Sequence, residues 1–248
     1  AEIKRLHSDM EKKDVEIARL LAVEARRPAE AAAVVVARRS DIASPAGALP
    51  ATPVELTCRL LEKLLADAAS AVELPVLSHA ERLPSGERGF SVGFARGVCT
   101  FFARHGAERL EMADVCKKEG LVVSVCRLTA STGLSLVESC VLVAEREGVD
   151  ASALFGRSST FFSYSWTGSA LCDVVAACER AVARLDEEDG AEARPARFLW
   201  LDMLCASQNL LAGKYVGHKE DTDRLFDGAL EATSEIVFYL APLVGEWK

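Results

Sequence analysis

STFFSYSWTGSALCDVV, residues Ser159–Val175, is the stretch on which the reading of the fold turns. Phe161, Phe162 and Tyr164, interleaved with hydroxyls, form a β-rich run that reaches Trp166 and is punctuated at Gly168. The following SALCDVVAACERAVARLDEEDG spaces its apolar residues along one helix face and closes at Gly190. The same order then repeats. ARFLWLDMLCA reads as a second strand, DTDRLFDGALEAT as a helix, and EIVFYLAPL as a third strand. Strands that are nearly continuously apolar, alternating with helices, predict a parallel sheet covered on both faces and joined by right-handed crossovers. The expected fold class is therefore α/β, with a parallel βαβαβ unit over residues 158–248.

Upstream the periodicity is helical. Residues 51–157 read as a mostly helical region. Thr52-Pro53 supplies an N-cap and a proline in the first helical turn, and Leu56, Leu60, Leu61, Leu64, Leu65 and Ala68 make one apolar face. LPSGERG (Leu83–Gly89) is a turn or loop. Phe94, Val98, Phe101 and Phe102 mark a helix stopped by Gly106, Arg109–Lys118 another short helix, and Gly133–Gly148 a helix ending in glycine. LVVSVCRLT (Leu121–Thr129) is either a strand or an apolar helix end, because periodicity does not separate the two in so short a run.

Residues 1–26 place Ile3, Leu6, Met10, Ile17 and Leu20 on a coiled-coil-like stripe, interrupted by Lys13. Such a stripe suits either a short coiled coil or a single amphipathic helix docked on a partner. Residues 27–50, rich in Ala, Pro and Arg, read as a linker.

Composition bounds the function. The chain has 248 residues, half of them hydrophobic, and a formal net charge of −8. That charge argues against nucleic acid or an anionic membrane surface as a main partner, since phosphates attract a basic face. Eight cysteines sit singly with no CxxC pair, as small core hydrophobes do in a reducing compartment, and neither a zinc site nor a disulfide framework is expected. No apolar run reaches the length of about 18 residues needed to span a bilayer. The chain opens at Ala1 on a charged segment unlike a secretory signal. The expectation is an intracellular, cytoplasmic or organellar location inside a longer protein.

In open parallel sheets ligands bind beyond the carboxyl ends of the strands. Here those ends offer Ser163, Ser165 and Trp166 from the first strand, and Asp202, Gln208 and Asn209 from LDMLCASQN after the second. Asp202 suits accepting hydrogen bonds from sugar hydroxyls, Trp166 suits stacking, and Gln208 or Asn209 suits reading a polar edge. The plainer reading makes the aromatic residues core and Asp202 a loop cap. Cys205 with His218 imitates a thiol nucleophile and its base, although a buried cysteine is the simpler account. GKYVG (Gly213–Gly217) lacks phosphate-loop spacing, and DEEDG (Asp186–Gly190) lacks the alternation of a calcium loop.

FFSYSW, DVVAACE, FLWLDMLCASQN and LFDGALEATSEIVFYLAPL together resemble the TIR-like domains of large algal and protist proteins. The resemblance covers about residues 113–248 and is most specific at Phe161–Trp166 and Trp200–Gln208. WLDMLCASQ is also similar to the fungal heterokaryon-incompatibility domain, the nearest rival. The resemblance implies a flavodoxin-like α/β fold used in signalling assemblies. It also implies that some relatives hydrolyse NAD, using a Glu in a Trp-Cys-x-x-Glu segment on the helix after the third strand. The chain stops at APLVGEWK, before that helix, and Glu246 does not match the motif position, so the domain is expected to be incomplete.

Two functions follow. The first is an intracellular protein-interaction or scaffold module, binding protein partners or itself through residues 1–26 and the TIR-like surface, with no cofactor. The second is an NAD- or nucleoside-directed glycohydrolase, with Trp166, Asp202 and Gln208 around the ribose and Asp202 as the one carboxylate in view to stabilise developing positive charge. NAD is the cofactor this alternative admits. The missing glutamate favours the first.

Overall fold

The computed structural model describes residues 51–70, 82–107, 109–112, 120–164, 169–189, 196–211 and 222–239. The stripe of residues 1–26, the linker, Ser165, Trp166, His218 and the chain end at 240–248 lie outside the described residues.

Helix α1 (Pro53–Ala69) begins as the sequence predicts. Thr52 Oγ1 accepts the Glu55 amide at 3.3 Å while the Glu55 carboxylate accepts the Thr52 amide at 3.0 Å, a reciprocal capping box. Its buried face, Cys58, Leu60, Leu61 and Leu64, packs on α2 (Val92–Arg104). The two helices approach closely at Gly97, where a Cβ would fall 2.3 Å from Thr57 Cβ. Gly106, at φ 83°, turns the chain out of α2 in a conformation that favours glycine. Leu121–Leu128 is a helix, α3, which settles the open reading of LVVSVCRLT. Helix α4 (Leu136–Arg146) starts with a second capping box, Ser135 with Glu138. The helix expected from Arg109 is not formed over Arg109–Met112, where Glu111 instead bridges antiparallel to Ala170; the rest of that segment lies outside the described residues.

The parallel unit is present. Strand β3 (Thr160–Tyr164) pairs parallel with β4 (Leu199–Trp200) on one side and with β5 (Glu235–Tyr239) on the other. Helix α5 (Leu171–Asp189) joins β3 to β4, and α8 (Thr222–Ala232) precedes β5. Because β4 and β5 flank β3, right-handed crossovers place α5 and α8 on opposite faces. Phe226 of α8 lies against Phe161 and Trp200, while Arg197 links α5 to the Glu235 side of β5 through Leu185 O and Asp186.

Three expectations are corrected. The sheet is larger than the parallel unit: from the mostly helical region 51–157, β1 (Gly89–Phe90) and β2 (Phe155–Gly156) extend it in the order β2-β1-β4-β3-β5. Both new pairings are antiparallel, so the five-stranded sheet is mixed and not purely parallel. Two-residue strands show no alternation for the eye to find. Their glycines are there for space, since a Cβ at Gly89 or Gly156 would meet Phe198 at 2.8 or 2.5 Å.

Second, ARFLWLDMLCA is strand only at Leu199–Trp200; the chain then turns into short helices α6 (Asp202–Cys205) and α7 (Gln208–Leu211). Third, among the described residues the sheet is not covered on both faces at β5, where residues alternate between half-buried and exposed. Elsewhere the core is continuous, with Trp200, Phe90, Phe94 and Phe162 its largest fully buried side chains.

Candidate functional site

The carboxyl end of β3 brings Tyr164 beside Asp202, which follows β4, at the rim of the sheet; both are half-buried, as is Ser163, whose side chain belongs to the opposite sheet face. Asp202 Oδ1 accepts the Met203 amide at 2.7 Å, which holds the carboxylate at the head of α6. The Tyr164 hydroxyl oxygen is buried and makes no hydrogen bond of standard geometry to a described residue. Burial first, then the adjacent Asp202 carboxylate, pushes its pKa well above the usual tyrosine range. A neutral phenol beside a carboxylate can orient a hydroxyl-bearing ligand. It cannot serve as a base at neutral pH.

Gln208 and Asn209 do something else. Both are buried, and their amide nitrogens donate to protein groups: Gln208 to Asp202 O at 3.1 Å, Asn209 to Cys126 O at 3.0 Å and Thr129 Oγ1 at 2.9 Å. Ser207 donates to Gly133 O at 2.7 Å. The SQN segment thus ties the turn after β4 to α3 and to the segment before α4. These contacts commit the two amides to the fold, and the expected edge-reading role gains no support from them.

Cys205 is fully buried, and burial raises its pKa; its thiol donates to Arg88 O at 2.9 Å. A thiol so placed is not a nucleophile, which corrects the thiol–imidazole alternative. Trp200 is core, as the plainer reading has it, stacked on Phe161 at 5.0 Å and edge-on to Phe226 at 5.3 Å.

A buried ionic cluster stands beneath the same turn. The Glu138 carboxylate receives Arg82 Nε and Nη2 at 3.2 and 2.8 Å and lies 3.4 Å from Arg88 Nε, all three side chains almost wholly buried. Arg88 also donates to Leu83 O at 2.9 Å and Cys205 O at 3.2 Å. Burial opposes ionisation of Glu138, but Arg88 and Arg82 outweigh it and hold the carboxyl below its ordinary value. Only the S-x-x-E spacing at Ser135–Glu138 advertised one member of this cluster in the sequence.

The second notable feature is the outer strand. β5 pairs only with β3 among the described strands, and its Ile236 and Phe238 are 52% and 72% exposed; Leu230 on α8 is 41% exposed. These are the exposed large hydrophobics among the described residues. Read as one more apolar ribbon, EIVFY gave no sign of its position at an edge.

Among the described residues no three or more His, Cys, Asp or Glu side chains group as metal ligands, and no helix is long and apolar enough to cross a membrane. Compared with family models, with curated proteins and with solved structures, the chain matches none.

Proposed function

We propose that the chain is a protein-interaction module built on a TIR-like α/β domain, acting inside the cell as part of a larger assembly. The observation that carries this reading is the exposed apolar face of β5, with Ile236 and Phe238 presented to solvent on an outer strand. An outer strand with exposed large hydrophobics is a self-association liability unless something covers it. The β4-β3-β5 order, with helices on opposite faces, matches the order 2-1-3 with which flavodoxin-like sheets begin and supports the TIR-like reading; β1 and β2 add two antiparallel strands beyond β4. The described cysteines are all free thiols, in keeping with an intracellular setting. In this reading residues 1–26 provide a second docking element.

The test is a photo-crosslinker in place of Phe238 in the full chain, irradiated in the native cell. A defined polypeptide adduct, lost when Ile236 is changed to Ser, is expected. No adduct from this position would overturn the reading.

The Tyr164–Asp202 pair favours one second reading, an NAD- or nucleoside-directed glycohydrolase. Release of nicotinamide from NAD by the full chain, abolished in Asp202→Asn, would establish it in place of the first.

A further inference from the structure

We infer that the exposed sheet face at β5, beside α8, receives an amphipathic helix of a partner protein whose polar flank is basic. This deepens the interaction reading above and rests on it. A helix is about 10 Å wide and strands are spaced about 4.8 Å, so one helix covers roughly two strands. Helix α8 is committed over β4 and β3, where Phe226 lies against Trp200 and Phe161. It is pinned there from its far side: Ser85 Oγ donates to Leu225 O at 2.6 Å, and a Cβ on Gly86 would fall 2.4 Å from Ala232 Cβ. That leaves β5. Ile236 and Phe238, in register with Phe161 and Ser163, continue the same face beyond the reach of α8.

The trough has an apolar floor and one apolar wall. Leu230 stands one turn after Phe226, on the flank of α8 opposite the one held by Ser85 and Gly86, and is exposed. Helical spacing puts Asp223 and Asp227, both exposed, on the shoulder beside Leu230. A hydrophobic groove with a carboxylate rim fits a helix that has an apolar stripe flanked by Lys or Arg. A strand added to the edge of β5 would leave the Leu230 wall and both carboxylates without a role. A second copy of this chain, at net charge −8, would bring like charge to the rim.

The test uses the full chain and fluorescent peptides of about 18 residues, long enough to hold a helix. One peptide carries Leu on one face and Lys on its flank. The second replaces Lys by Glu, and the third keeps Lys but replaces Leu by Ser. Anisotropy titration is expected to show saturable binding of the Leu/Lys peptide only, weakened by salt. Phe238→Ser and Ile236→Ser, both at exposed positions, are each expected to weaken it at least about tenfold. The double change Asp223→Lys, Asp227→Lys is expected to transfer preference to the Leu/Glu peptide.

Undiminished binding to both β5 variants, or equal binding of the Lys and Glu peptides, overturns the inference. So does a dimer of the full chain in sedimentation that Phe238→Ser dissolves. A crosslinked partner whose contacting segment is acidic or extended would sink this inference and leave the interaction reading standing; no adduct at position 238 would sink the interaction reading itself.

Discussion

Arg82 grips Glu138 with two nitrogens, Nε at 3.2 Å and Nη2 at 2.8 Å, across 56 residues of sequence. With Arg88 on the same carboxylate, the contact pins the loop before β1 to the first turn of α4. Removing one partner of a buried ionic cluster costs about 3–5 kcal/mol, because the remaining charge has been taken out of water. Glu138→Gln keeps the size and the cap and removes only the charge. Its unfolding free energy in urea is expected to fall by about 3 kcal/mol, whereas a change of less than about 0.5 kcal/mol would mean that the cluster is idle.

The same carboxylate gives a pH signature. Glu138 is held below the ordinary value of 4.5 in the folded chain, so its contribution is present in full above that value. It is lost as pH falls through the lower folded-state value. The native chain should therefore lose more stability than Glu138→Gln between neutral pH and about pH 3. Parallel loss in both proteins, followed by thermal unfolding across that range, would show that other carboxylates govern acid unfolding.

Gly97 tests the helical layer. Alanine there would put a Cβ 2.3 Å from Thr57 Cβ, with no flexible side-chain tip to move aside, so α1 and α2 must separate. Overpacking of this kind costs about 1–3 kcal/mol. Gly148→Ala is the contrast. At φ 63° with nothing within 4 Å, it carries backbone strain alone, about 1–2 kcal/mol. Differential scanning calorimetry should rank Gly97→Ala as the less stable, and the reverse order would place the close approach elsewhere.

Thiol labelling reads the core directly. Burial raises Cys140, Cys178 and Cys205, and Cys99 is pushed up to about 12 with burial as the main cause. Cys172 is exposed. Brief iodoacetamide treatment of the native chain should modify Cys172 ahead of every other described cysteine, with Cys205 protected until unfolding. Early modification of Cys205, identified by peptide mass mapping, would contradict its burial against Arg88.

How much of this was legible depended on the distance over which each contact acts. The capping box at Thr52, the glycine stops at Gly106 and Gly148 and the helix–strand alternation after Ser159 are local, and the residues state them. The parallel direction of β3, β4 and β5 also follows locally, from the intervening helices. Strands β1 and β2 are two residues long and obtain their partners from far along the chain, so no periodicity could announce them. Gln208 and Asn209 looked like ligand-reading amides because their real acceptors, at Asp202, Cys126 and Thr129, are supplied by the fold. Arg88 lies in LPSGERG, read as a turn or loop, and its carboxylate partner Glu138 is likewise supplied by the fold. EIVFY misled in the opposite sense: apolar composition implied burial on both faces, but a strand position at the edge is a property of the sheet and not of its own residues.

That edge supplies the last test. Phe162 and Phe238 both lie on paired strands of one sheet, on opposite faces. Phe162 is buried, facing Tyr239 at 6.5 Å between ring centroids, and Phe238 is mostly exposed. Phe162→Ala should cost about 3–5 kcal/mol through lost burial and the cavity left behind. Phe238→Ser removes an exposed ring, and its effect on unfolding should stay within about 0.5 kcal/mol. The same change should raise solubility, because it removes an exposed apolar group from a strand that, among the described residues, pairs on one side only. If Phe238→Ser instead destabilises the chain as much as Phe162→Ala, the ring is covered by the chain itself, and β5 offers no surface to a partner.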